Sequence, residues 1–340
     1  MCPERGSTPG AGRGEGVPAS PISRRAVVGA LGVAGAWTLL SACGRGSPDG
    51  APSDAVTSTA TDSATGAATP TSGAPDVVDP ASLPSYDYEE RELAVVSQGE
   101  TMAGRLYAPA VAGPVPLVVC SHGLVGSIDD LDPVARTLAG LGLASYRFAF
   151  RNGGPEAGDT TRMSVMTEVA DLEAVLTAAR SAADGWDVVD PQRIVLQGVS
   201  QGGAVSTITA ARHPEEVAGL ALWYPAFSIT DDLHLLFASS EEVPETLTFE
   251  GHSLGRIYAE DMWDYDVYAD MPRYLSPVLI VHGTADAVAP IGYSERAEKT
   301  FPDAGLLSID GAGHGFSGRA WDRAMGGTAA YLQRIGVLGG

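Results

Sequence analysis

Three residues far apart in the chain have the side-chain types needed to break an acyl bond: the hydroxyl of Ser200, the carboxylate of Asp286 and the imidazole of His314. A serine hydroxyl is unreactive near neutral pH unless a base takes its proton, and a third group must hold that base in one tautomer. Ser200 is the centre of Gly198-Val199-Ser200-Gln201-Gly202, which follows the β-branched run Arg193-Ile194-Val195-Leu196-Gln197 and precedes an Ala-rich segment of helical composition. On so tight a strand-to-helix turn the hydroxyl stands clear of the sheet. The flanking glycines permit a crowding of backbone that a Cβ would block. His314 lies in Gly311-Ala312-Gly313-His314-Gly315-Phe316, a loop from which an imidazole can swing over neighbouring strand ends. Asp286 follows an apolar strand in His282-Gly283-Thr284-Ala285-Asp286, at the carboxyl end where parallel sheets place their chemistry. Asp310, four residues before His314, is the rival acid, although a turn Asp more often only bonds backbone.

Charge that develops on a carbonyl oxygen needs donors already in place. Ser121-His122-Gly123-Leu124 follows an apolar strand, so the Leu124 N–H is one expected oxyanion donor. The Gln201 N–H, at the start of the helix after Ser200, is the other. His122 is expected to shape its loop and His282 to pack at a strand end. His213, His234 and His252 show no metal-ligand spacing, so neither metal nor cofactor is expected. Cys120 closes the apolar run Pro116-Leu117-Val118-Val119 and reads as a small core residue, Ser200 having the better context for a nucleophile.

The elements that must position these groups begin near Tyr86. From there strand-like and helix-like segments alternate, as in a mostly parallel sheet flanked by helices. Leu93 to Val96 and Met102 to Tyr107 flank the turn Ser97-Gln98-Gly99-Glu100 and predict an opening antiparallel hairpin. Leu117 to Ser121 and Leu143 to Phe150 are continuous apolar runs of the kind buried on both faces. Val165, Val169, Leu172, Leu176 and Ala179 form one helical stripe, with Glu168, Asp171 and Glu173 assigned to a solvated face. Alternation breaks between about residues 228 and 275. That stretch reads either as a cap over the strand ends or as a surface helical pair whose aromatics are ordinary core.

Ahead of the domain, Ser23-Arg24-Arg25 and an uncharged apolar run from Ala26 to Ala42 predict an export signal, and the Arg pair resembles a twin-arginine signal. Leu40-Ser41-Ala42-Cys43 looks like a bacterial lipobox, which implies a lipid on Cys43; an uncleaved membrane anchor is the alternative. Residues 43–85, rich in Ser, Thr, Ala, Pro and Gly, read as a disordered tether. The expected organisation is therefore a signal over 1–42, a tether over 43–85 and a hydrolase domain over 86–340. The 340 residues carry a formal charge of −21, and removing residues 1–42, with four Arg and two Glu, takes it to −23. Such a chain repels polyanions, which argues against nucleic acid as a partner. Membrane attachment is assigned to the lipid, at the outer face of the cytoplasmic membrane or in secreted form.

From Tyr86 onward the chain resembles the α/β-hydrolase superfamily, and within it the bacterial cinnamoyl (feruloyl) esterases. The residues that carry the likeness are Ser121-His122-Gly123-Leu124, Tyr146-Arg147-Phe148-Ala149-Phe150-Arg151, Gly198 to Gly203, His282-Gly283-Thr284 with Asp286 and Pro290, and Gly311 to Phe316. The order Ser200, Asp286, His314 is the nucleophile–acid–base order of that architecture. The chain departs from the pattern at Ala149, usually Asp, and at Leu124, often Phe. The resemblance implies an eight-stranded, mostly parallel sheet with a small inserted cap. It implies a serine hydrolase acting through an acyl-enzyme on small aryl, short-chain or cinnamoyl-type esters, the cap helping to bind the aromatic acid. A serine peptidase of the same fold and a non-catalytic surface protein are the rival readings.

Overall fold

The computed structural model describes residues 75–154, 158–182, 184–249 and 252–339. The expected signal, Cys43 and most of the expected tether lie outside them. Its frame is a single eight-stranded sheet in the order β1 (Tyr88–Glu92), β4 (Gly104–Pro109), β6 (Ala144–Phe148), β5 (Val115–Ser121), β7 (Val189–Val199), β8 (Gly219–Trp223), β11 (Val278–Gly283) and β12 (Ala304–Ile309). The β1–β4 and β4–β6 pairs are antiparallel and the rest parallel. Both faces of the parallel part are covered, so these strands are apolar without alternation. Leu117, Val119, Leu196, Leu220 and Ile280 face one core, Val118, Cys120, Val195, Ala221 and Leu279 the other. The expected opening hairpin exists as a separate two-stranded sheet, β2 (Val95–Ser97) with β3 (Glu100–Met102), while the residues after Ala103 cross to the main sheet as β4.

Helices α1 (Asp132–Gly140), α2 (Val165–Arg180), α3 (Gln201–Arg212), α6 (Gly292–Thr300) and α7 (Gly318–Arg334) flank the sheet. The break in alternation is filled by α4 (Ile229–Leu236), the hairpin of β9 (Thr246–Phe249) and β10 (His252–Gly255), and α5 (Ile257–Met262). Tyr258 and Leu254 face a pocket beside Ser200. Tyr268 is core, its hydroxyl donating to the Tyr293 carbonyl.

Two expectations need correction. The domain starts earlier than residue 86: Val78 and Leu83 pack on the α7 side of the core, and the Val78 N–H donates to the Gly326 carbonyl at 3.2 Å. Two large aliphatics in an otherwise polar stretch suffice to bind it down. Glu168 and Asp171 are not on a solvated face; both are fully buried, whereas Glu173 is only partly so. The cause is that α2 is covered by α3 and α5 as well as by the sheet, so little of its circumference meets water. Glu168 follows Val165 by three residues and Asp171 precedes Val175 by four, in phase with buried neighbours.

Asp171 accepts the Arg151 N–H at 2.8 Å and pairs with the Arg151 guanidinium. Burial lifts its carboxyl above the usual range, and the hydrogen bonds and charge of Arg151 pull against that lift. Removing one member of a buried pair leaves an uncompensated charge. Asp171→Ala is therefore expected to lower stability by about 3–5 kcal/mol, read as a fall in the urea midpoint at constant slope. A loss below about 1 kcal/mol would show that Arg151 finds water instead.

Candidate active site

Ser200 stands at the junction of β7 and α3 with φ 52° and ψ −121°, a left-handed conformation that costs on the order of 1–3 kcal/mol for a residue with a Cβ. The turn closes through Ser200 N–H to the Trp223 carbonyl (3.0 Å), while the Ser200 carbonyl accepts from Gly203 and Ala226. Backbone crowding makes glycine obligatory here. A Cβ on Gly198 would lie 2.2 Å from the Gly202 carbonyl oxygen, and one on Gly202 would lie 2.3 Å from that of Ser121. The β5 end and the β7–α3 turn thus touch backbone to backbone, which carries the loop after β5 over the serine. Gly123 is so near that its Cβ would sit 3.7 Å from Ser200 Oγ.

His314, on the loop between β12 and α7, reaches both other groups. Its Nε2 is 2.9 Å from Ser200 Oγ and its Nδ1 is 2.8 Å from Asp286 Oδ2. With Asp286 ionised, Nδ1 carries the hydrogen and Nε2 presents a lone pair to the serine hydroxyl. Gly311 and Gly315, at φ 69° and 88°, turn the loop at either side of the imidazole. Tyr224, also left-handed at φ 37°, packs edge-on against His314 with centroids 4.8 Å apart and against Phe316 at 4.9 Å. The rival Asp310 is exposed and accepts from Thr284 Oγ1 at 3.2 Å.

Asp286 is buried and receives four donors. Oδ1 accepts the N–H groups of Val288 (2.9 Å) and Ala289 (3.0 Å), and Oδ2 faces both His314 and His282 Nε2 (3.1 Å). Burial alone would raise this carboxyl; the hydrogen bonds from His314, Ala289 and Val288 outweigh it and hold the group below the usual carboxylate range. His282 therefore does more than pack. Its Nε2 also meets the Ala289 carbonyl, an acceptor only, so Nε2 carries the hydrogen and Nδ1 accepts from Ser294 Oγ at 2.7 Å. Desolvation lowers its pKa and keeps it neutral, which suits a brace on the acid's loop. Nothing in its sequence setting marks that role, since a strand-end His reads alike in either case.

Leu124 and Gln201, the expected oxyanion donors, flank Ser200 in the wall of one pocket of about 380 Å³. His122 lies below them, buried, with Nδ1 2.8 Å from the Gly123 carbonyl and Nε2 accepting the Phe150 N–H. Sequence reasoning missed the Gln201 side chain. Its Nε2 donates to Glu168 Oε2 (2.8 Å) and its Oε1 accepts the Tyr258 hydroxyl (2.9 Å), linking a buried carboxyl, the residue after the serine and the cap. Burial pushes the Glu168 carboxyl far above the usual range, against the pull of the Gln201 hydrogen bond. Burial likewise lifts the Cys120 thiol to about 12 and leaves it inert. His213 pairs with Glu173 and Glu216, and His234 meets the Trp263 carbonyl. Among the described residues, no group of three or more His, Cys, Asp or Glu is arranged to hold a metal.

Residues 112–264 match the family model described as serine aminopeptidase, S33, and residues 262–335 the one described as TAP-like protein. The solved structure of Est1E from Butyrivibrio proteoclasticus with ferulic acid bound is 23% identical, aligns with 72% of this chain and 99% of its own, and superposes with a TM-score of 0.65. NocK of Nocardia uniformis subsp. tsuyamanensis, assigned as an esterase, is 31% identical over 41% of this chain. Rv2307c of Mycobacterium tuberculosis is 29% identical over 61%. The chain spans 42% and 65% of the lengths of these two relatives.

Because the Asp286 carboxyl titrates lower folded than unfolded, its stabilisation is complete above its unfolded value of about 3.9 and fades as pH falls through the folded one. The stability advantage of wild type over Asp286→Asn should therefore be constant from pH 7 to 5 and shrink from about pH 4 downward. An advantage independent of pH down to 2 would contradict the ionised, donor-rich carboxylate.

Proposed function

We propose that this chain, which has the α/β-hydrolase fold, is a serine esterase. One observation carries the reading: a continuous hydrogen-bonded line from Asp286 through His314 to Ser200, ending at the wall of a pocket large enough for a small ester. Ser200 Oγ attacks the ester carbonyl while His314 Nε2 takes its proton. The Leu124 and Gln201 N–H groups receive the oxyanion, Asp286 supports the imidazolium, and His314 returns the proton to the departing alcohol. Water, deprotonated by the same imidazole, then releases the acid and restores the serine. Asp286 and its brace His282 work by holding that imidazole in one orientation.

Ser200→Ala is expected to lower kcat for p-nitrophenyl acetate by on the order of a millionfold, with loss of fluorophosphonate labelling. Undiminished turnover or labelling in that variant would end the proposal. A serine peptidase is the second reading, favoured by the serine aminopeptidase description of the 112–264 match. Peptide anilides assayed beside esters separate the two, since the peptidase reading requires that anilides be turned over and the esterase reading that only the esters be.

The further reading is an exported lipoprotein held to a membrane through Cys43, which the basic, apolar and small-residue order of residues 23–43 supports. Among the described residues no helix is long and apolar enough to cross a membrane. Cys43→Ala should move the protein out of the membrane fraction and abolish incorporation of labelled fatty acid. Retention in the membrane without the cysteine would point to an uncleaved anchor.

A further inference from the structure

The pocket beside Ser200 has walls of an unexpected kind. Along α4, Ile229, Leu233 and Leu236 repeat at four- and three-residue steps, so one stripe of that helix lines the cavity. Leu247 and Leu254, directly opposed across the β9–β10 hairpin, form a second wall. Leu124 closes the side nearest the serine. Leu236, 62% exposed, and Val288, 49% exposed, sit at the rim, so the apolar lining runs from the reacting hydroxyl to solvent.

Polar groups are sparse and one-signed. Tyr258 lines the pocket, but its hydroxyl is committed to Gln201 Oε1. Asp232, which accepts from Ser228 Oγ, and Asp130 are the charged lining residues, and neither Lys nor Arg is among them. A substrate bearing a carboxylate would meet two acids and no cation. Tyr224 and Tyr258 bring two rings to the lining, but a flat aromatic acid would otherwise meet the branched aliphatic walls of Leu124, Ile229, Leu233, Leu247 and Leu254.

Resting on the esterase reading, we infer that the substrate is a neutral ester with one aliphatic chain of medium length, seated between α4 and the β9–β10 hairpin, and not a cinnamoyl ester. The chain can belong to the acid or to the alcohol; the surface chemistry is the same for both. Leu233, Leu247 and Leu254 are then specificity-determining residues that take no part in the bond making. Each methylene that enters such a wall adds roughly two- to fourfold to kcat/KM, as long as the cavity has room.

Two ester series assayed with the purified full chain test this: p-nitrophenyl esters from acetate to dodecanoate, and alkyl acetates over the same lengths. In one of them kcat/KM should climb two- to fourfold per methylene through at least hexanoate, and the series that climbs identifies the side. The eight-carbon ester of the climbing series, methyl octanoate for the acid side or octyl acetate for the alcohol side, should exceed methyl ferulate, and exceed its own analogue ending in a carboxylate, at least tenfold each. Leu254→Trp should cut the eight-carbon-to-two-carbon ratio within that series at least tenfold; should that variant misfold, Leu236→Trp at the rim is read for the same ratio. Acetate turnover with both series flat, or methyl ferulate turned over better than both methyl octanoate and octyl acetate, overturns the inference and leaves the esterase reading standing. Wild type that fails to hydrolyse p-nitrophenyl acetate at all sinks the esterase reading itself.

Discussion

The site depends on a contact between two stretches of bare backbone. Gly202, in the first turn of α3, rests against the carbonyls of Ser121 and His122 at the end of β5, and Gly198 rests against Gly202. No side chain fits between them. That closeness fixes the separation of the β5 loop from the β7–α3 turn, and with it where two N–H groups lie relative to one hydroxyl. It also forces Ser200 into its left-handed conformation, a strain tolerated because Trp223, Gly203 and Ala226 bond the turn from three directions. The sheet supplies the rest: β8 and β11 bring Tyr224 and the Asp286 loop to the same rim.

Much of this was legible in the residues themselves. Buried parallel strands leave uninterrupted apolar runs, which is why β5, β7, β8 and β11 could be read from composition. Ser200, Asp286 and His314 were legible because each follows a strand and two are hemmed by glycine, a setting that ordinary core residues do not need. The burial of Glu168 and Asp171 was not legible. A helical wheel separates inside from outside only when one face meets water, and here α5, from an insertion of no regular pattern, covers the other side of α2. The roles of His282 and of the Gln201 side chain escaped for a related reason, since each depends on a partner some distance away whose approach only the fold decides. Val78 and Leu83 escaped because two apolar residues in a polar stretch carry no periodicity.

Carboxyl groups in the interior are treated in three different ways. Asp171 pairs with the Arg151 guanidinium, Asp286 is held below the usual carboxylate range by its donors, and Glu168, with the Gln201 amide beside it, is pushed far above that range. Desolvation acts on all three, and the number and kind of donors decides the outcome. In a chain of such negative charge this sorting matters, because the interior carboxyl held lowest is the one that faces the imidazole beside the serine.

The β9–β10 hairpin has a consequence for how such a protein can diverge. Its two leucines shape the cavity, yet the hairpin forms its own small sheet and adds no strand to the main one. Exchange of those few residues alters the mould without disturbing the tool, because the glycine contact that sets the hydroxyl lies in a different part of the chain. Descendants of one scaffold can in this way trade appetites while their reaction stays the same.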